Sequence, residues 1–105
     1  MRVLFKNRKM KKLCEDFNKL KIKHGDQVAR EIMTRIGELV SSENLSDIFK
    51  IPQARCHPLT GNLKAFYSVD AGHPKRLLLR PLNGIFNDTK TISEIEIYEI
   101  RNQHE

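Results

Sequence analysis

The hydrophobic pattern changes period near Pro52, and that change limits the folds open to the chain more than any other feature. Before it, Met10, Leu13, Cys14, Phe17 and Leu20 recur at three- and four-residue spacing, the apolar stripe of an amphipathic helix. Asn7 is placed to cap its start, and His24-Gly25 ends it. After Asp26, a second candidate cap, Val28, Ala29, Ile32, Met33, Ile36, Leu39 and Val40 repeat the stripe up to Ser41-Ser42. The pattern predicts an antiparallel helix pair, and "ENLSDIF" (43–49) predicts one further turn whose Leu45, Ile48 and Phe49 cap the core.

Beyond Pro52 the period is two. Leu63, Ala65, Tyr67 and Val69 alternate with Lys64, Phe66 and Ser68, and Leu77 and Leu79 alternate with Arg76, Leu78 and Arg80, with turn composition in "DAGHPK" between them. "ISEIEIYEI" (92–100) predicts a third strand. Its alternation is clean at Ile95 and Ile97 and breaks at Tyr98 and Ile100, as a bulge or burial on both faces would require. "VLF" (3–5) is a short strand-like run ahead of the helices. Helices first and strands afterwards predict an α+β fold: two N-terminal antiparallel helices packed on one face of a small antiparallel β-sheet. A helix-turn-helix DNA reader does not fit, since both stripes face a common core and no third helix completes the motif.

A chain of 105 residues has room for one domain, here taken as 1–105. With 39% hydrophobic residues it is globular in composition, and no apolar run approaches the ~18–20 residues of a membrane span. "MRVLFKNRKMKK" lacks the apolar stretch and cleavage site of an export signal, so a cytoplasmic location is expected and no membrane partner. Cys14 lies on the apolar stripe and Cys56 far from it, without the spacing of a zinc or redox motif, so neither a metal nor another cofactor is expected. The formal charge is +6, and it is uneven: residues 1–30 carry ten basic and three acidic side chains, residues 88–105 two and five. Such a gradient suits a protein that meets a polyanion, although a solvated lysine-rich helix face would give the same count.

Residues 51–81, "IPQARCHPLTGNLKAFYSVDAGHPKRLLLRP", resemble the killer proteins of bacterial plasmid-maintenance modules, the HigB branch of the RelE-type toxins. In that family an R-C-H or L-H pattern runs through P-L-x-G into a strand ending in S-V or S-I, and an H-P-x-R-L strand follows. "EIRNQH" (99–104) stands where the family has E-I-x-D-Y-H. The resemblance implies a toxin that cuts messenger RNA in the ribosomal decoding site. It also implies neutralisation by a HigA-like helix-turn-helix antitoxin, whose complex, rather than the toxin alone, binds operator DNA.

Metal-independent RNA cleavage drives a 2′-hydroxyl onto the adjacent phosphorus. It needs a base for that proton, an acid for the departing 5′-oxygen, and cations for the phosphate. Histidine suits both proton roles, with an ordinary pKa of ~6.5. The resemblance points to His57 and His104 for proton transfer and Arg76 for the phosphate. If Leu77 and Leu79 face the helices, strand parity puts Arg76 and Arg80 on the other side of the sheet, where His57 and Arg55 share a face of their own strand. Lys64 and Arg80 would grip RNA there, and Lys9 and Lys12 on the first helix would hold ribosomal RNA. His73 reads as a turn residue and His24 as a helix-end residue. The chain departs from the family at Thr60, where a lysine is usual, and at Asn102 and Gln103, which replace Asp-Tyr. Asparagine is no base and glutamine has no phenol. Two readings therefore stand: a nuclease working with His57, Arg76 and His104, or a chemically depleted member that only binds antitoxin or RNA.

Overall fold

The computed structural model describes residues 1–103. Its elements are β1 (Arg2–Phe5), α1 (Arg8–Cys14), α2 (Phe17–His24), α3 (Asp26–Ser41), α4 (Leu45–Phe49), β2 (His57–Pro58), β3 (Tyr67–Asp70), β4 (Lys75–Pro81) and β5 (Glu94–Asn102). The strands form one sheet in the order β1-β5-β4-β3-β2. The α+β architecture is the one that the periodicity predicts. The sheet, however, is mixed: the edge strand β1 runs parallel to β5, with Val3 opposite Ile95 and Phe5 opposite Ile97, while the pairs β5/β4, β4/β3 and β3/β2 are antiparallel. A parallel neighbour requires a long crossover rather than a hairpin, and the helices that follow β1 supply it.

The first helical stripe is real, but it is carried by two helices. Asn7 caps α1 as expected, its side-chain oxygen accepting from the Met10 amide at 2.8 Å. The helix then stops at Glu15 because Asp16 turns extended (φ −124°, ψ 103°) and caps α2, accepting from the Lys19 amide at 3.1 Å. An aspartate offered an N-cap bond gains more there than inside a helix. Asp26, read as a cap, is instead the first residue of α3 after Gly25, and its carboxylate takes a 2.7 Å hydrogen bond from Arg30 that holds it below the usual carboxylate range.

Leu20, Ala29, Ile32 and Leu39 from the helices pack into one apolar cluster with Val69, Leu77, Leu79, Ile95 and Ile97 from the sheet. Cys14 is buried as its stripe position implies, and burial, with Glu15 behind it, pushes its thiol up to about 11. Two stripe residues fall outside the core, Met33 and Val40, at 39% and 56% exposure. Arg35, by contrast, is buried at 4%, with Nε 2.9 Å from Glu38 and Nη2 3.7 Å from Glu31. The strand expected from Leu63 to Val69 is shorter than its alternation suggests: Gly61–Leu63 is a single 3-10 turn, and pairing begins at Tyr67. Gly61 at φ 63° turns the chain there, and Pro58, which has no amide proton, ends β2.

Residues 82–93 are a long loop fixed by its own side chains. Asn83 Oδ1 accepts from the amides of Ser93 (2.9 Å) and Glu94 (3.0 Å), and Thr91 Oγ1 accepts from the Ile85 amide at 2.8 Å. The loop delivers Phe86 onto Tyr67, ring centroids 4.5 Å apart and nearly stacked, while the Tyr67 hydroxyl donates to the Phe86 carbonyl. Gly84 makes this possible: at φ 76° a Cβ there would lie 2.2 Å from the Thr91 carbonyl oxygen. Gly84→Ala should therefore cost at least about 1 kcal/mol and lower Tm by roughly 4–8 °C at this chain length, as thermal melts would measure; an unchanged Tm would contradict this packing.

His24 gives a pH signature. At the end of α2 its ring is half-buried, with Nε2 enclosed and lacking a hydrogen-bond partner among the described residues. Burial lowers its pKa, and Lys75 and Lys23 lower it further. The unfolded chain, with an ordinary histidine near ~6.5, then binds the proton more readily than the folded one, so this contribution is present above that pH and lost as pH falls. Tm should drop between about pH 7.5 and 5.5, a window set by the ordinary histidine value, and His24→Gln should flatten the drop; parallel curves for both proteins would show that His24 is not its source.

Candidate functional site

β3 and β4 set the rows of the outer sheet face, the one turned away from the helices. Opposite residues in the ladder place Asp70 beside Arg76 and Arg76 beside Arg101. The neighbouring row runs His57, Ser68, Leu78, Glu99. The rows are two residues apart along the strands, about 7 Å. His57 is exposed, whereas Arg76 is 8% exposed and Leu78 only 1%. This corrects the expectation of an open basic face, for β4 is covered on both sides and Arg76 is set into the surface.

Arg55 has φ 46°, the left-handed region, and is the one described non-glycine residue with positive φ. That backbone costs a residue with a Cβ about 1–2 kcal/mol. It closes the 3-10 turn Pro52–Ala54 and brings the Arg55 carbonyl 2.8 Å from His57 Nδ1. A carbonyl only accepts, so Nδ1 carries the proton, and the neutral ring keeps its lone pair on Nε2. No local pattern announces this tautomer, which depends on the backbone angle at Arg55.

Asp70 joins the parts. Its Oδ2 lies 3.6 Å from Arg55 Nε, and its Oδ1 accepts from Gln103 Nε2 at 3.0 Å. Gln103 is held a second time by its own amide, which donates to the Pro74 carbonyl at 2.8 Å. The glutamine that replaces the resembled family's tyrosine thus serves as a clasp between the C-terminal segment and the β3–β4 turn. Asn102 lies opposite Lys75. His104 lies outside the described residues. Of the expected site, then, Arg55 and Arg76 flank Asp70, and His57 stands in the next row, tied to the Arg55 carbonyl.

The other expected contacts are elsewhere. Lys64 and Arg80 line a separate hollow of about 570 Å³ at the far end of β4, with Pro81 and Phe86, and Arg80 Nε is 3.0 Å from Glu96. Lys9 and Lys12 line a larger groove of about 810 Å³ over α1 and α2, where Lys6, Arg8, Lys19 and Lys23 add four more cations. Cys56 is half-buried near the site, and burial pushes its thiol up to about 12, far from a reactive thiolate. Among the described residues no cluster of His, Cys, Asp and Glu could hold a metal ion, and no helix is long and apolar enough to cross a membrane.

Neither a family model nor a curated protein matches the chain by sequence. In structure it is similar to a YoeB/ParE toxin from Agrobacterium tumefaciens, with a TM-score of 0.54 over 97% of this chain and 98% of that one at 13% sequence identity. At that identity the likeness is one of fold: the chain has the α+β fold of a YoeB/ParE toxin.

Proposed function

We propose that this chain is the toxin of a toxin–antitoxin pair, of the HigB branch, and that it cleaves messenger RNA on the ribosome. The observation that carries this reading is His57, held at Nδ1 by the Arg55 carbonyl of a strained turn, on the sheet face whose next row pairs Arg76 with Asp70, where the Arg55 guanidinium also lies. In the proposed reaction His57 Nε2 takes the 2′-hydroxyl proton and the oxygen attacks phosphorus. The bond to the 5′-oxygen breaks and that oxygen is protonated, with His104 as the acid that the resemblance implies, leaving a 2′,3′-cyclic phosphate and a 5′-hydroxyl end. Arg76, poorly hydrated in its setting, and Arg55 offset the charge that builds on the phosphate.

So small a set of groups leaves placement of the RNA to another agent, and proximity can supply ~7–11 kcal/mol of a barrier. The ribosome would provide it, with the cations over α1 and α2 facing ribosomal RNA. The fold likeness to a toxin supports a partner antitoxin, here read as a HigA-like helix-turn-helix protein whose complex binds operator DNA.

His57→Ala should lower ribosome-dependent cleavage by roughly 10²–10⁴-fold with Tm unchanged, since the side chain is exposed. Arg76→Ala should lose both cleavage and stability, because it strips the buried cation from beside Asp70. A wild type silent in a translating extract, yet rescuing nothing when Gln103→Tyr and Asn102→Asp are introduced together, would remove the nuclease reading. Cleavage by His57→Ala at the wild-type rate would remove His57 from it.

A further inference from the structure

Three side chains on the outer face take no part in the chemistry above. The register between β4 and β5 shifts at Leu78/Leu79, Leu78 facing Glu99 and Leu79 facing Ile97, so Tyr98 is the extra, bulged residue. The bulge turns Tyr98 toward Phe66, the ring centroids 4.8 Å apart at 54°, and Lys6 Nζ sits 4.2 Å from the Tyr98 ring centroid. Both rings are half-exposed and Lys6 is exposed. Tyr98 also forms a wall of the cationic groove over α1 and α2, where Glu99, the one lining carboxylate among the described residues, is taken up by Arg101 at 2.7 Å.

We infer that Tyr98 and Phe66 form a stacking platform for an unpaired base of single-stranded RNA, whose phosphates follow the cations of the groove. This rests on the reading of the chain as an RNA-binding toxin. Charge complementarity selects a polyanion, with Lys6, Arg8, Lys9, Lys12, Lys19 and Lys23 on the walls. The aromatic pair selects within that class: an acidic peptide uses the cations but has no need of the rings, and the bases of a duplex are already stacked on one another. Lys6 is an exchangeable cover. Its exposed cation–π contact is weaker than base stacking, and in the bound state its ammonium moves to a phosphate while the base takes the ring face.

The chain has two tyrosines and no tryptophan, and Tyr67 is 2% exposed, so fluorescence quenching by a bound base reports on Tyr98. The probes are a short oligoadenylate and a ribose-phosphate strand of equal length without bases. Oligoadenylate should quench the wild-type protein, and Tyr98→Leu should weaken its binding about 5- to 150-fold, leave the abasic strand's affinity unchanged, and abolish the quenching; Tyr98→Phe should keep the affinity. Equal losses for both strands in Tyr98→Leu would make the ring merely structural and overturn the inference, as would no loss for either, while leaving the RNA reading intact. Wild-type protein that binds neither strand would remove that reading together with the platform. If it binds the two strands alike, with an acidic peptide displacing both, the inference also fails and the groove belongs to a peptide.

Discussion

The central strand β4 carries the structure. It lies between β3 and β5, and its Leu77, Leu78 and Leu79 are all buried, so it is covered on both faces and a one-residue slip of its register would turn Arg76 and Arg80 towards the apolar helical layer. Leu77 and Leu79 anchor the helical layer, and each such side chain is worth about 2–5 kcal/mol against truncation. The intervening positions are thereby committed to the other side, where Arg76 and Leu78 stand in the rows that hold Asp70 and His57. The bulge in β5 follows from the same constraint. A tyrosine inserted between Ile97 and Glu99 lets Ile97 and Ile100 both meet the inner face while Tyr98 joins Phe66 outside.

The charges on the outer face are graded by burial. Asp70 is the shared anion of this face, 3.6 Å from Arg55 Nε, accepting from Gln103 and lying opposite Arg76. Arg55 is the costly member, since its left-handed backbone is what aims a carbonyl at His57. By contrast, the lysines of α1 and α2 are exposed, so any attraction they exert on a polyanion is screened by salt. The fold therefore separates a small, ordered cluster around Asp70 from a broad cationic surface over α1 and α2.

The helical layer and the positions of β3, β4 and β5 were legible from period, because a 3.6-residue stripe and a two-residue alternation diverge over a long segment, whereas the two-residue β2 is too short to show one. The irregularity at Tyr98 was legible too, as a failure of alternation. Three features were not. The break at Asp16 is hidden because the apolar stripe continues through it, and only the cap bond to Lys19 decides. The parallel pairing of β1 depends on where a crossover lands, which no local pattern encodes. Burial of Arg76 and Arg35 is a tertiary property, since an arginine reads as surface until its neighbours are known. At the site, residue types pointed to His57 and Arg76, but the Asp70 hub, the Gln103 clasp and the strained turn at Arg55 arise from contacts between segments far apart in sequence.

In the proposed reaction His57, with Arg55 and Arg76, cuts RNA through the 2′-hydroxyl when a ribosome presents the message. The decisive measurement maps the ends of a message translated in an extract with the purified chain. New 5′-hydroxyl ends paired with 2′,3′-cyclic phosphates, formed on translating ribosomes and not on free RNA, are the predicted result. Intact messages, or fragments that begin with a 5′-phosphate, would contradict it.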